Sequence, residues 1–186
     1  MYSPFPRFLQ GFAAAVHLLN VAIEKRAALE CIVIQANLID GLLRMGLVLQ
    51  AQLKERSSEI DERFIKQEDG DPMISEREIY KRAFAEDLID QSLYNDLSAA
   101  YTRRNKAIHR YLLCSVTYED AKRLVFCLDD LMERVRDQVH LIEQEQIQQG
   151  VGITVSGPEA DRGFLKEFAA KKERPYNLEA QQDAPS

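Results

Sequence analysis

Between Tyr101 and Tyr111 the chain carries Arg103, Arg104, Lys106, His109 and Arg110 without a single acid. An imidazole that titrates near neutrality can take the proton of a ribose 2′-hydroxyl or return one to a 5′-leaving oxygen. An arginine fork can hold the phosphate between them and stabilise its developing charge. Arg104 and His109 are therefore candidates for cleaving an RNA phosphodiester by 2′-hydroxyl attack, a reaction that requires no metal and no cofactor. Arg103, Lys106 and Arg110 would add phosphate binding. The plainer reading is a solvated helix face, on which Arg, Lys and His are common and an Arg-x4-His spacing arises by chance.

The segment fits near the end of a helix, and helical geometry says who faces whom. Tyr101, Asn105 and His109 form one row at i, i+4 and i+8, while Arg104 and Tyr111 form another at i and i+7. At ~100° per residue, His109 lies about 140° around the helix from Arg104. One helix does not readily aim both at one atom, so the expected assembly is a two-fold homodimer whose groove presents both pairs.

The rest of the chain reads as helices that position this segment. Ser3-Pro4 predicts a helix start, with Phe8, Leu9, Phe12, Val16 and Leu19 at helical spacing and a break near Glu24-Lys25-Arg26. A second helix from Ala27 to about Lys54 is apolar almost all round, as expected of a core or dimer-interface helix. Within it Gln35, Asn37 and Asp40 each need a partner. Asp40 is a candidate to orient Arg104 or His109, a structural hydrogen bond being the commoner role for such a residue. Arg56 to Pro72 reads as a polar loop, and Ser75 with Glu78 as a capping box opening a short helix. The motif helix is predicted over roughly Asp87 to Leu113. Thr117 with Asp120 opens the last long helix, whose apolar stripe runs to Gly150. The only strand-like stretch is Val151 to Val155.

The fold class expected is all-α, an up-down bundle of four to five main helices over residues 1–150. The extension 151–186 carries a predicted short helix over 159–172 and a flexible, disordered end. Among 186 residues with a formal charge of −6, indiscriminate nucleic-acid coating is disfavoured. Between Lys54 and Asp90 acids outnumber bases twelve to seven, which leaves the acid-free segment as the place where a polyanion would dock. Cys31, Cys114 and Cys127 form no CxxC pair and read as buried thiols of a reducing compartment. With no export signal visible and Gln35, Asn37, Asp40 and Arg44 interrupting the most apolar helix, the expectation is a cytoplasmic protein with no membrane span. No Gly-rich phosphate loop, His-Glu-x-x-His or Gly-x-Ser-x-Gly is present. His17 and His140 stand alone on predicted helices. Tyr80, Tyr94, Tyr101 and Tyr118 could stack bases, although core packing is their usual role.

Arg104-Asn105-x3-His109-x-Tyr111 resembles the Arg-x4-6-His signature of HEPN domains. It includes the polar residue that follows the Arg and the x-Tyr extension of HEPN toxins paired with minimal nucleotidyltransferases. The resemblance covers roughly Ala27 to Gln149: an apolar early helix, a polar loop, the motif helix and a final amphipathic helix. It implies a homodimeric, metal-independent endoribonuclease, the toxin or effector of a toxin-antitoxin or defence system. Arg104 and His109 match the catalytic pair and Asn105 the variable polar position. Tyr111 matches the tyrosine that a partner nucleotidyltransferase, acting as antitoxin, adenylylates. The long first helix, the acidic loop before Ser75 and the tail after Gly150 depart from the pattern. Some HEPN proteins are non-catalytic, so the alternative is a helical RNA- or protein-binding regulatory module.

Overall fold

The computed structural model describes residues 4–66, 70 and 73–156. Among the described residues six helices follow one another: α1 (Pro4–Glu24), α2 (Ala28–Glu55), α3 (Glu76–Ala85), α4 (Gln91–His109), α5 (Tyr118–Gln149) and the single turn α6 (Ile153–Ser156), with a 3-10 turn at Glu62–Phe64 between α2 and α3. No strand occurs among the described residues, and the fold is an all-α bundle.

Caps written in the sequence start three of these helices. Ser75 accepts a hydrogen bond from Glu78 N at 3.3 Å, although the Glu78 carboxylate turns to Arg82 instead of closing the expected box. Thr117 and Asp120 form the full reciprocal box of α5. The Asp90 carboxylate caps α4 through Leu93 N at 2.7 Å, three residues later than the expected start at Asp87. Asp87 instead ends the preceding turn with φ 60°.

The helix ends follow a rule the sequence conceals. After α1, Ala27 N bonds to Ala22 O and Arg26 N to Ile23 O, the paired closure of a Schellman motif. The same pair of bonds closes α2 around Arg56, α3 around Asp87 and α5 around Gly150. The residue in the left-handed conformation is a glycine only at Gly150; Arg26 and Arg56 adopt φ 54° and 52°.

α2 is the axis of the bundle, with α1, α3, α4 and α5 all packed on it. Ile32, Ile39, Leu43 and Leu49 are at most 1% exposed. Cross-helix contacts set directions. Tyr118 donates to Arg26 O and Gln146 to Leu49 O, so α5 runs parallel to α2. Asp96 meets Arg134 while Arg103 reaches Cys127, so α4 runs antiparallel to α5. α3 in turn is antiparallel to α4, with Phe84 stacked on Tyr94 at one end and Glu76 paired with Arg104 at the other. Gly46 lets Leu88 and Val139 close on α2, since a Cβ there would lie 2.8 Å from Leu88 Cδ2. By length and composition α2 could cross a membrane, yet 72% of its most apolar window is buried inside the bundle.

One expectation about the C-terminal part changes. Val151 to Val155 is not a strand: Gly152 (φ 83°) passes directly over Gln146, and Ile153 begins a helical turn. Buried Gln146 and Gln52 cause this, because Gln146 Oε1 accepts from Thr154 Oγ1 at 2.6 Å and Gln52 Oε1 accepts from Ile153 N at 3.2 Å. The predicted helix over 159–172 and the disordered end lie outside the described residues.

The cap geometry makes a test. An L-residue in the left-handed region costs roughly 1 kcal/mol that glycine avoids, partly offset by glycine's freer unfolded chain. Arg56→Gly should therefore raise stability by about 0.5 kcal/mol in urea titration; a loss of stability would sink this account of the α2 terminus.

Candidate functional site

The buried stripe of α4 is Leu93, Leu97, Ala100 and Ala107. Arg104 occupies the next place in that 4-3-4-3 rhythm, so the helix that buries its leucines also turns this arginine inward. Its side chain is 18% exposed, and Nη2 pairs with Glu76 Oε2. The guanidinium lies over the Tyr101 ring at 4.8 Å, a cation–π distance. Arg77 approaches the same ring at 5.2 Å.

Glu76 reaches this position through α2. Arg44 donates from Nε to Asp40 Oδ2 at 2.6 Å and from its two terminal nitrogens to Phe64 O and Ile74 O at 3.1 and 3.0 Å. That fork pins the chain just before Ser75, where α3 begins. Glu76 is the first residue of α3, and its second oxygen accepts from the Tyr80 hydroxyl. Tyr80 is buried with its ring edge-on to Tyr101.

Burial raises the pKa of the Glu76 carboxyl above its ordinary value, against the pull of the Tyr80 hydrogen bond and Arg104. Burial likewise raises Asp40, which Arg44 and then Arg104 pull back. Asp40 thus serves Arg44 first and sits in the field of Arg104, not of His109. Among the described residues Asp40 Oδ1 and Arg104 Nε are both buried without a hydrogen-bond partner.

His109 is the last residue of α4 and is exposed, as are Arg103, Lys106 and Arg110. Arg103 extends Nη1 to Cys127 Sγ at 3.6 Å, and Asn105 is half-buried. No hydrogen bond joins Arg104 to His109 among the described residues; the structure brings Arg104 to Glu76 and Tyr101 instead. α4 stops at His109 rather than Leu113: Arg110 leaves the helical backbone at φ −132°, and Leu113 N bonds to Arg110 O in a separate turn. Tyr111 therefore lies in a turn, half-buried, and the expected helical row of Arg104 with Tyr111 does not form. In the same turn Leu112 and Leu113 are 93% and 85% exposed.

Other expected positions resolve structurally. Tyr94 stacks on Phe84, and Tyr118 binds Arg26 O with Lys122 over its ring. His140 contacts Glu143 and Gln144, and Asn37 and His17 are exposed. A cavity of about 350 Å³ between α1, α2 and the 3-10 turn is walled by Phe8, Phe12 and Phe64. Among the described residues no group of three His, Cys, Asp or Glu could hold a metal ion. Glu76 and Arg44 were not among the expected site residues, and Tyr80, expected only as a base-stacking candidate, is buried; the signal for Glu76 was the place of Arg104 in the buried stripe, which demands an inward partner.

A third, half-buried acid lies on α5. Asp129 faces Gln35, whose amide is fully buried beside it without closing a hydrogen bond of good geometry. No family model, curated protein or solved structure matches the chain.

Burial, then the nearby Glu133, raises the pKa of Asp129 to about 6, while Gln35 and Arg136 oppose the shift. The unfolded carboxyl titrates near 3.9, so between about pH 4 and 6 the folded chain holds more protons and loses stability as pH rises. Asp129→Asn should remove that loss, raising the melting temperature at pH 8 more than at pH 4.5. Equal effects at both pH values would show that the titration of Asp129 does not couple to folding.

Proposed function

We propose that the chain is a metal-independent endoribonuclease of HEPN type, acting as a homodimer and as the toxin or effector of a toxin-antitoxin or defence system in the cytoplasm. The observation that carries this reading is the division of the Arg-x4-His pair: Arg104 is held in a defined orientation, while His109 stands exposed at a helix end among Arg103, Lys106 and Arg110. The exposed cations would gather the RNA backbone. His109 would take the 2′-hydroxyl proton, the resulting oxygen would attack phosphorus, and the 5′-oxygen would leave with a proton, giving a 2′,3′-cyclic phosphate and a 5′-hydroxyl. Arg104 of one copy would meet the phosphate opposite His109 of the other, since one helix separates them by about 140°. Asn105, half-buried between them in sequence, fits the polar position of the motif. A nucleotidyltransferase that modifies Tyr111 is the partner the motif implies, and the turn after α4 is where it would act.

The Arg104–Glu76 pair favours a second reading, in which Arg104 is structural and the chain is a non-catalytic RNA- or protein-binding module. Cleavage of single-stranded RNA in EDTA separates the two. Wild type should cut, and His109→Ala should lose activity by on the order of 100-fold or more. The fold should persist, because His109 is exposed. A wild type that binds RNA or a protein partner and leaves RNA intact would establish the binding module.

A further inference from the structure

We infer that Glu76 is a positioning residue for Arg104: fixed by Tyr80 and by the start of α3, it holds the guanidinium in the one orientation from which it can meet an RNA phosphate. The inference rests on the ribonuclease reading. Both oxygens of the Glu76 carboxylate are engaged. Its backbone follows Ser75, whose own carbonyl neighbour Ile74 is tied to Arg44, and its two oxygens go separately to Tyr80 and Arg104. Tyr101, three residues before Arg104 on α4, supports the guanidinium face at 4.8 Å.

This arrangement uses one edge of the guanidinium and spares another. Nη2 is taken by Glu76 and Nε is buried, so the Nε–Nη2 edge points into the protein. Among the described residues Nη1 makes no hydrogen bond and is the donor left for a phosphate. The charge of Arg104 is offset by its direct partner Glu76 and that of Arg44 by Asp40, with Arg77 a further cation at the Tyr101 ring. Arg104 consequently adds little to the long-range attraction of RNA, and its contribution is a donor already aimed, without the loss of side-chain freedom that an unrestrained arginine would suffer. A competing role is open to the same contact: Glu76 could occupy Arg104 in place of phosphate and so suppress binding. The two roles move kcat and KM in different ways.

The test uses the full chain and a fluorescent single-stranded RNA oligonucleotide of mixed sequence, with kcat and KM measured separately. If Glu76 positions Arg104, Glu76→Gln lowers kcat by on the order of tenfold to a hundredfold and leaves KM nearly unchanged. Glu76→Asp recovers part of the loss, and Glu76→Gln adds nothing in an Arg104→Lys background. Tyr80→Phe should act in the same direction more weakly, and it carries the test if Glu76→Gln does not fold. A lower KM or higher kcat in Glu76→Gln would overturn the inference in favour of competition. A lowered melting temperature with kcat intact would reduce Glu76 to a structural ion pair. Failure of the wild type itself to cleave overturns the ribonuclease reading and the positioning role together, an outcome seen before any Glu76 variant is compared.

Discussion

A helix that is apolar on every side has to be surrounded, and α2 sets that requirement for the whole chain. From Gly41 to Leu49 every residue but Arg44 is buried. Each large side chain removed from water is worth roughly 1.5–3 kcal/mol, so no arrangement that leaves a flank of α2 bare competes with one that covers it. Apolar burial has no direction, however, and does not say how far a neighbour slides along α2. Register comes from the few polar groups of α2. Gln35 lies level with Asp129 of α5, Arg44 ties down the chain before α3, and Gln52 meets Glu59, Gln146 and the start of α6. Arg44 is the most consequential of these, because the place where α3 begins decides where Glu76 stands.

What could be read from the residues, and what could not, follows from the range of the interaction concerned. Thr117 with Asp120, and Gly150, act within one turn, and the boundaries they predict hold. The break at Arg26 was placed by charge clustering, and it occurs there for another reason: a Schellman closure that puts an arginine in the left-handed region. No local residue type announces such a closure, since what stabilises it is burial of Leu19, Ala22 and Ala28 around the turn. Val151 to Val155 has the composition of a strand but has no strand to pair with; two glutamines nearly a hundred residues apart satisfy its backbone instead. Contacts of that separation leave no mark in a short window.

The motif shows the same division. Its residues were legible as chemistry, and the angular gap between Arg104 and His109 as geometry. The environment of each was less so. Arg104 lies on the Leu93-Leu97-Ala100-Ala107 stripe, a pattern visible in the sequence, and an arginine on a buried stripe requires an anion facing it. Which acid answers was hidden, because Lys54 to Asp90 offers a dozen and only the fold selects Glu76. The row of Arg104 with Tyr111 fails for a local reason: Arg110 departs from helical backbone at φ −132°, so the chain turns before Tyr111 can lie over Arg104.

Those two environments separate attraction from alignment. Arg103, Lys106 and Arg110 are in water, where their fields reach about 10 Å at moderate salt and act on any polyanion. Arg104 is withdrawn beside Glu76, which offsets its charge, but its donors are stiff. Flexible surface cations can bind a phosphate in many poses, which gives affinity without selecting the geometry that in-line attack needs. A restrained guanidinium does the reverse: it contributes little to capture and favours one pose among those captured. The end of α4 thus carries both kinds of cation, exposed ones whose fields act at a distance and one that is withdrawn, paired and restrained.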